Sequence, residues 1–311
     1  MKKKTGILII MGFFIVSGVS AEIPKVGIEM CQHLAAGWSD KQMSATAYDR
    51  GNDSLYSRTE IKASVPFTFG NFTITPWIRE RLEMKLNTGG SSNASLFDQR
   101  WRNRLFLGWD NTWKIIDPLS VLFNFEFMIT SDLRSSWIGE GYLVSQMRFS
   151  PLLGLAGNIG GLSYKLTEYF HIYAKDYKPA LADAEKIRTE WEGLYNVSYI
   201  LKFEKISIIF NLCDNLGFEM GIAGEGDERM YNILSAQVSL KIGDIAPYAG
   251  FTSDLCYDMD AGSMNDNIIG LKTGICLTKE KVTFGIDYRI GKELESETIQ
   301  SYATTNLKIK F

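Results

Sequence analysis

Apolar and polar side chains alternate with a period of two through one segment of this chain after another. Residues 121–129 show the pattern, because Val121, Phe123 and Phe125 are separated by Leu122 and Asn124. The same alternation covers residues 58–69, 72–81, 100–109, 234–242, 269–277 and 282–290. A period of two belongs to β-strands and not to helices. The sequence therefore predicts an all-β chain of long strands, each with one apolar face.

The first residues have the pattern of an export signal. Residues 2–4 are basic, residues 7–16 are apolar, and small residues lead up to a cleavage site at Ala21. This order is typical of a secretory signal peptide. The residue directly after Ala21 is Glu22 and not Cys, so a lipoprotein is not indicated. We expect residues 1–21 to be removed and residues 22–311 to form a single domain; the alternative is an uncleaved N-terminal helix.

Composition narrows the class of protein further. After Ala21 no stretch approaches the ~18 uncharged apolar residues that a membrane helix needs, yet the chain is 45% hydrophobic and 13% aromatic. Removing the three signal-peptide lysines leaves 30 basic against 36 acidic residues, a net charge of −6. Nucleic-acid binders are usually basic, so no nucleic-acid partner is expected. The four cysteines (Cys31, Cys213, Cys256, Cys276) have no metal-binding spacing, and their pairing is not determined.

The last predicted strand ends on an aromatic residue. Phe311, Ile309 and Leu307 share one of its faces, and Lys310 and Lys308 share the other. This arrangement resembles the assembly signal of Gram-negative outer-membrane β-barrels. Together with the export signal and the alternation, it makes the chain similar to a small porin-like member of that class. The resemblance implies an antiparallel up-and-down barrel in the outer membrane, in contact with outer-membrane lipids and inserted by the barrel-assembly machinery.

Connection lengths predict the number of strands. Short turns and longer connections alternate, as they do in outer-membrane barrels, which have an even strand count. Six short turns imply 14 strands, with 12 as the alternative. This count requires a first strand near residues 26–36 and a single bulged strand at 205–223. The short turns are predicted at 70–71, 115–118, 166–169, 202–205, 242–245 and 278–281. The longer connections are predicted at 39–54, 86–99, 130–152, 178–190, 224–230, 255–266 and 291–299.

The polar faces of the early strands are strongly basic and would line the lumen. Guanidinium groups bind carboxylate, phosphate or sulfate, and rows of Arg and Lys select anions in pores. Structural bracing is the alternative, in which Glu126 would face Arg102 or Arg104. The candidate pore-lining residues are Arg58, Lys62, Arg79, Arg81, Arg100, Arg102, Arg104 and Glu126.

Two functions fit this pattern. The first is a channel for passive diffusion of small, preferentially anionic solutes, with acidic oligosaccharides suggested by analogy of size and charge. The second is a closed barrel that acts as a surface adhesin or structural protein through its external loops.

Enzymatic chemistry is not indicated. The chain has no hydrolase, zinc-protease or nucleotide-binding motif, and we expect no metal and no cofactor. Of the two histidines, His33 lies on the first strand and His171 is expected at the periplasmic end, both as polar wall groups. Aromatic residues at strand ends fit interfacial girdles. They are Phe67, Phe69, Phe72, Trp109, Trp137, Tyr169, Phe203 and Tyr248.

Overall fold

A computed structural model describes residues 25–39, 54–87, 100–134, 146–176, 188–221, 228–259, 262–295, 297 and 299–311. The strands are β1 (Gly27–Ser39), β2 (Ser54–Ser64), β3 (Phe67–Phe69), β4 (Phe72–Asn87), β5 (Arg100–Ile116), β6 (Leu119–Arg134), β7 (Gln146–Ile159), β8 (Leu162–Asp176), β9 (Arg188–Lys202), β10 (Ile206–Gly221), β11 (Arg229–Ile242), β12 (Ile245–Asp258), β13 (Ser263–Lys279), β14 (Val282–Glu293) and β15 (Ile299–Lys310). Within these ranges no helix is long and apolar enough to cross a membrane.

The strands close into one antiparallel barrel. Each strand pairs with its neighbours in sequence, and β1 pairs with both β2 and β15. Since β2 and β3 both pair with β4 and follow one another along it, they are two parts of one barrel strand. The prediction of 14 strands is therefore confirmed, and so is a first strand near residues 26–36. The alternative of 12 strands is wrong.

Two prolines meet at the break between β2 and β3. Pro66 lies in the break, and Pro76 lies opposite it on β4, where the β2 ladder has ended and the β3 ladder has not begun. Val65 N–H donates to the carbonyl of Pro76 at 3.1 Å across the gap. A proline cannot donate to a ladder, and both prolines lie where the ladder between β2, β3 and β4 is interrupted.

One predicted turn is misplaced. The predicted turn at 166–169 is wrong, because these residues lie inside β8 and the chain reverses at Gly160-Gly161. Gly160 has a φ of 59°, a left-handed conformation that glycine adopts without a steric cost. The five other short turns lie within two residues of their predicted positions.

Strand β10 is straight where a bulge was predicted. Residues 206–221 form one strand, as the count required, but both of its ladders run without a register shift. Asp214 and Asn215 fit into a regular strand because their side chains point to opposite faces, Asp214 outward and Asn215 inward. The predicted loops at 130–152 and 255–266 are also shorter than expected, since β6, β7, β12 and β13 extend into them.

The two faces of the wall differ in chemistry. Outward side chains are apolar and exposed; Leu153 is 66% exposed and Leu271 is 65% exposed. Inward side chains are mostly polar or charged, and many are buried by their neighbours across the lumen. The wall is therefore apolar outside and polar inside, the reverse of a water-soluble β-sandwich.

Polar groups interrupt the outward face at several places, and one such patch lies on β8–β11. Tyr195 donates to Glu168 at 2.6 Å, and Asn232 donates to Asp214 at 2.6 Å. These four residues lie on the four adjacent strands β8–β11. The side chains are hydrogen-bonded to one another, which lowers the cost of placing carboxylates on an apolar surface.

Several predictions concern residues outside the described part of the chain. The signal peptide (1–21), Trp137 and most residues of the longer connections belong to this group. For these residues the sequence predictions stand as they were made.

The opposite chemistry of the two faces gives a test on one strand. Leu212 points outward from the middle of β10, and its neighbour Cys213 points inward. We expect Leu212→Arg to lower the free energy of unfolding in lipid by about 2–4 kcal/mol, the cost of a cation against hydrocarbon. Cys213→Arg is the matched control and is expected to cost less than about 1 kcal/mol. Reversible denaturant unfolding in vesicles measures both; equal costs would contradict the assignment of faces.

Candidate functional site in the barrel lumen

The register brings the predicted basic residues onto one inward surface. Arg79 pairs with Lys62 on one side and with Phe106 on the other, and Arg81 pairs with Arg104. The side chain of Arg100 lies outside the described part. The name basic sector is used below for Arg58, Lys62, Arg79, Arg81, Arg102, Arg104 and Arg148.

Glu126 is the centre of an ion-pair network in this sector. Arg79 Nη2 lies 2.8 Å from its Oε2, and Arg148 Nη2 lies 2.6 Å from its Oε1. The prediction that Glu126 would face Arg102 or Arg104 is wrong. The carboxylate instead bridges β4 and β7, so that both of its oxygens accept a charge-assisted hydrogen bond.

Two further arginines, Arg81 and Arg104, are braced in the same way. Arg81 Nε donates to Glu60 Oε2 at 2.8 Å, and Arg104 Nε lies 3.5 Å from Glu83 Oε2. Lys62 lies 3.6 Å from Asp110. The arginine and glutamate side chains in these pairs are only 12–19% exposed. Bracing of the wall and a basic lumen surface therefore exist together.

Aromatic rings fill the lumen beside these arginines. The Arg79 guanidinium lies 4.0 Å from the centroid of Phe106 and 5.2 Å from that of Trp77. Trp77, Phe106 and Met128 form a buried cluster with exposures of 8%, 2% and 2%. Cation–π contacts of this kind stabilise a desolvated guanidinium. The β4–β7 side of the lumen is consequently packed and not open.

His171 lies deep in the barrel and not at its periplasmic end as predicted. Because the turn is at Gly160-Gly161, the residue is well inside β8, and its side chain is 3% exposed. Its Nδ1 lies 2.7 Å from Ser150 Oγ, and its Nε2 lies 3.0 Å from Glu192 Oε2. A hydrogen-bonded serine, histidine and glutamate thus cross β7, β8 and β9.

The hydrogen-bonded network continues past Glu192. Asn215 donates to Glu192 at 3.0 Å, while Tyr173 and Tyr231 donate to Glu190 at 2.7 and 2.8 Å. This part of the wall, β9–β11, carries acidic side chains, whereas the basic sector carries cations. The acidic side chains of β9–β11 therefore adjoin the basic sector, because only β8 separates β9 from Arg148 on β7.

No signal in the sequence groups Arg148, Ser150 and His171. Gln146, Arg148 and Ser150 alternate with Met147, Phe149 and Pro151, but this run is short and ends at Leu152-Leu153, so it was predicted to belong to the connection at 130–152. The bulge between Met147 and Arg148 breaks the period further. Two of the aromatic residues that were assigned to the interfacial girdles are misplaced. Tyr169 and Tyr248 lie on the lumen side of the wall.

The described residues form no disulfide and no recognisable metal site. Cys31, Cys213, Cys256 and Cys276 are free thiols. In the ranges given above, no group of three or more His, Cys, Asp or Glu side chains is arranged to hold a metal ion.

Comparison with known proteins identifies the fold. Over 92% of this chain and 60% of the other, the structure matches CdiB from Acinetobacter baumannii with a TM-score of 0.56 and 10% identity. The chain thus spans about 60% of the length of CdiB. A loop-deletion mutant of OmpT, an outer membrane protein of Vibrio cholerae, matches over 93% and 100% of the two chains, with a TM-score of 0.52 and 7% identity.

A third match, the CymD monoaromatic hydrocarbon channel, has a TM-score of 0.49 at 8% identity and covers 92% of this chain and 87% of the other. No family model and no curated protein matches the sequence. Sequence identities this low show a shared fold and do not show a shared function. The chain has the fold of outer-membrane β-barrel proteins, as its sequence resemblance implied.

The position of Glu126 between two arginines generates a stability prediction. Glu126→Gln removes the charge that both guanidinium groups share and leaves them buried together. We expect the free energy of unfolding to fall by about 3 kcal/mol, the usual cost of breaking a buried ion pair. Glu204→Gln, in an exposed turn, is the control and should change it by less than about 0.5 kcal/mol. Equal effects in denaturant titrations would show that the network does not stabilise the wall.

Proposed function

We propose that this chain is an outer-membrane channel for the passive diffusion of small, preferentially anionic solutes. The fold supports the location, because an apolar outer wall and a closed ladder of strands suit a bilayer. The charge of the lumen supports the preference for anions. Acidic oligosaccharides remain one candidate class, from size and charge alone.

The proposed preference for anions depends mainly on an excess of positive charge in the basic sector. Counted over the side chains that the structure describes, its seven cations outnumber by three the four carboxylates in its ion pairs, Glu60, Glu83, Asp110 and Glu126. Ion pairing weakens the field of each arginine but does not remove this surplus. In a narrow lumen with low-dielectric walls the surplus is focused, and it enriches anions.

The acidic wall at β9–β11 limits the expected selectivity. Glu190 and Glu192 lie on β9, two strands along the wall from Arg148, so cations have a favourable path as well. We therefore expect a moderate preference for anions and not exclusion of cations.

Selectivity in a planar bilayer tests the proposal. With a tenfold KCl gradient, the wild-type reversal potential should have the sign of chloride preference. Replacing Arg81 and Arg104 together by Gln reduces the surplus from three charges to one, so the potential should move toward the cation side. Lys281→Gln, in the turn at 280–281, is the control and should leave it unchanged. Cation preference in the wild type, unaltered in the double variant, would overturn the role of these arginines.

A closed barrel that acts through its external loops is the second candidate. The observation in its favour is the packed β4–β7 side of the lumen, where Phe106 is 2% exposed. The same bilayer recordings separate the two candidates. Absence of conductance from protein that is correctly folded and inserted would favour the closed barrel.

A hydrolase is the third candidate, favoured only by the Ser150, His171 and Glu192 contacts. A serine nucleophile needs a neighbouring base and access for the substrate, and Ser150 is 1% exposed. We infer that the three residues brace the wall. A fluorophosphonate probe should therefore not label the folded protein. Labelling that disappears in Ser150→Ala would instead favour a hydrolase.

A further inference from the structure

A cavity lined by both polar and apolar groups lies in the lumen on the side away from the packed aromatic cluster. It is bounded by β11–β15, β1 and β2, and its volume is about 420 Å³. Cavities of this size accommodate small ligands. It is called the lumen cavity below, and its principal lining residues are His33, Arg58, Gln237, Tyr248, Asp287 and Asn306.

Small residues create the space. Ala246 and Gly285 line the cavity, and a Cβ added at Gly285 would meet only the carbonyl of Ile275, at 3.8 Å. Gly274 acts differently, because a Cβ there would lie 2.6 Å from the Tyr248 ring. The hydroxyl end of the Tyr248 ring therefore lies close over the backbone of Gly274. Tyr248 lines the cavity, and the ammonium group of Lys272 lies 5.4 Å from the centroid of its ring.

Polar groups around the cavity are held in place by partners in the wall. Asn306 Oδ1 lies 2.5 Å from His33 Nδ1, and Gln237 Nε2 donates to Ser239 at 3.0 Å. Asp287 accepts hydrogen bonds from Thr304 and from the Tyr248 hydroxyl. Each acceptor oxygen of a carboxylate or amide has a second lone pair. Fixed amide and carboxylate groups beside an aromatic face suit the hydroxyl groups and C–H surface of a polyol.

Arg58 differs from the other arginines of the basic sector. Arg79, Arg81, Arg104 and Arg148 each have a carboxylate within 4.0 Å. Among the described residues, no carboxylate lies that close to Arg58. The lysine on the cavity wall, Lys308, is occupied by Glu29 at 2.6 Å. Of the cations that line this cavity, Arg58 is consequently the one available to a ligand, and its planar fork suits a carboxylate. Lys272 lies nearby, with its ammonium group 5.4 Å from the Tyr248 ring centroid.

We propose that the lumen cavity binds a small sugar acid, a polyhydroxylated solute that carries one carboxylate. This inference rests on the proposed channel function and names a solute class for it. The carboxylate would lie at Arg58, the sugar ring on Tyr248, and the far hydroxyl groups at Asp287 and Asn306. Since Asp287 is itself anionic, a second carboxylate at the far end of the solute would be repelled.

Calorimetric titration of the full-length protein in detergent tests the site without requiring transport. The probes are sodium D-glucuronate, its neutral parent D-glucose, and the dicarboxylate D-glucarate. We expect glucuronate to bind at least about tenfold more tightly than either of the others, a difference of one charge-assisted contact. Equal binding of all three, or no binding of glucuronate, would overturn the proposal.

Two variants locate the site. Arg58→Gln should weaken glucuronate binding about tenfold or more and leave the binding of glucose unchanged. Gly285→Leu should fill the recess and abolish binding of both. Lys202→Gln removes an exposed cation at the end of β9, outside the cavity, and should bind as the wild type does. Circular dichroism of the sheet confirms that each variant is folded; unchanged affinity in both cavity variants would contradict the assignment.

The result is separable from that of the channel proposal. Glucuronate binding without conductance would remove the channel and keep the cavity as a site. Conductance with no glucuronate binding would keep the channel and overturn the site.

Discussion

The structure depends on closure of the β-sheet by hydrogen bonds between its first and last strands. Eleven residue pairs join β1 to β15, from Glu29 with Lys310 to Ser39 with Gln300, and Phe311 N–H donates to the carbonyl of Ile28 at 2.8 Å beyond them. A sheet without edges satisfies its own backbone, which is the condition for crossing hydrocarbon. The role of Phe311, Ile309 and Leu307 as an assembly signal stays a prediction beside this structural one.

Closure also forces the chemistry of the lumen. Because side chains alternate, every second residue must enter a confined space with little water to solvate it. The protein fills one side of that space with aromatic rings and with arginines that share carboxylates, as Arg79 and Arg148 share Glu126. Part of the remaining space is the lumen cavity, where Arg58 has no such partner among the described residues. The bracing network and the proposed solute site thus lie on two sides of one lumen.

Sequence alone predicted the fold well because its signal is periodic. Alternation and loop asymmetry gave the barrel, the strand number and the inward direction of Arg79 and Arg81. The signal failed at β7, where the alternation of residues 146–151 is short and ends at Leu152-Leu153. The turn made by Gly160 was also placed several residues late, which moved His171 to the wrong end. Ion-pair partners were not predictable, since Glu126 reaches residues that the register alone does not place beside it.

Scanning single nitroxide labels along residues 282–290 of β14 tests the division between outside and lumen most directly. In vesicles, collisions with oxygen should peak at 282, 284, 286, 288 and 290, whose side chains point outward. Collisions with a water-soluble nickel chelate should peak at the four residues between them. Equal accessibility to both reagents along the strand, without a period of two, would contradict a barrel wall with hydrocarbon on one face and water on the other.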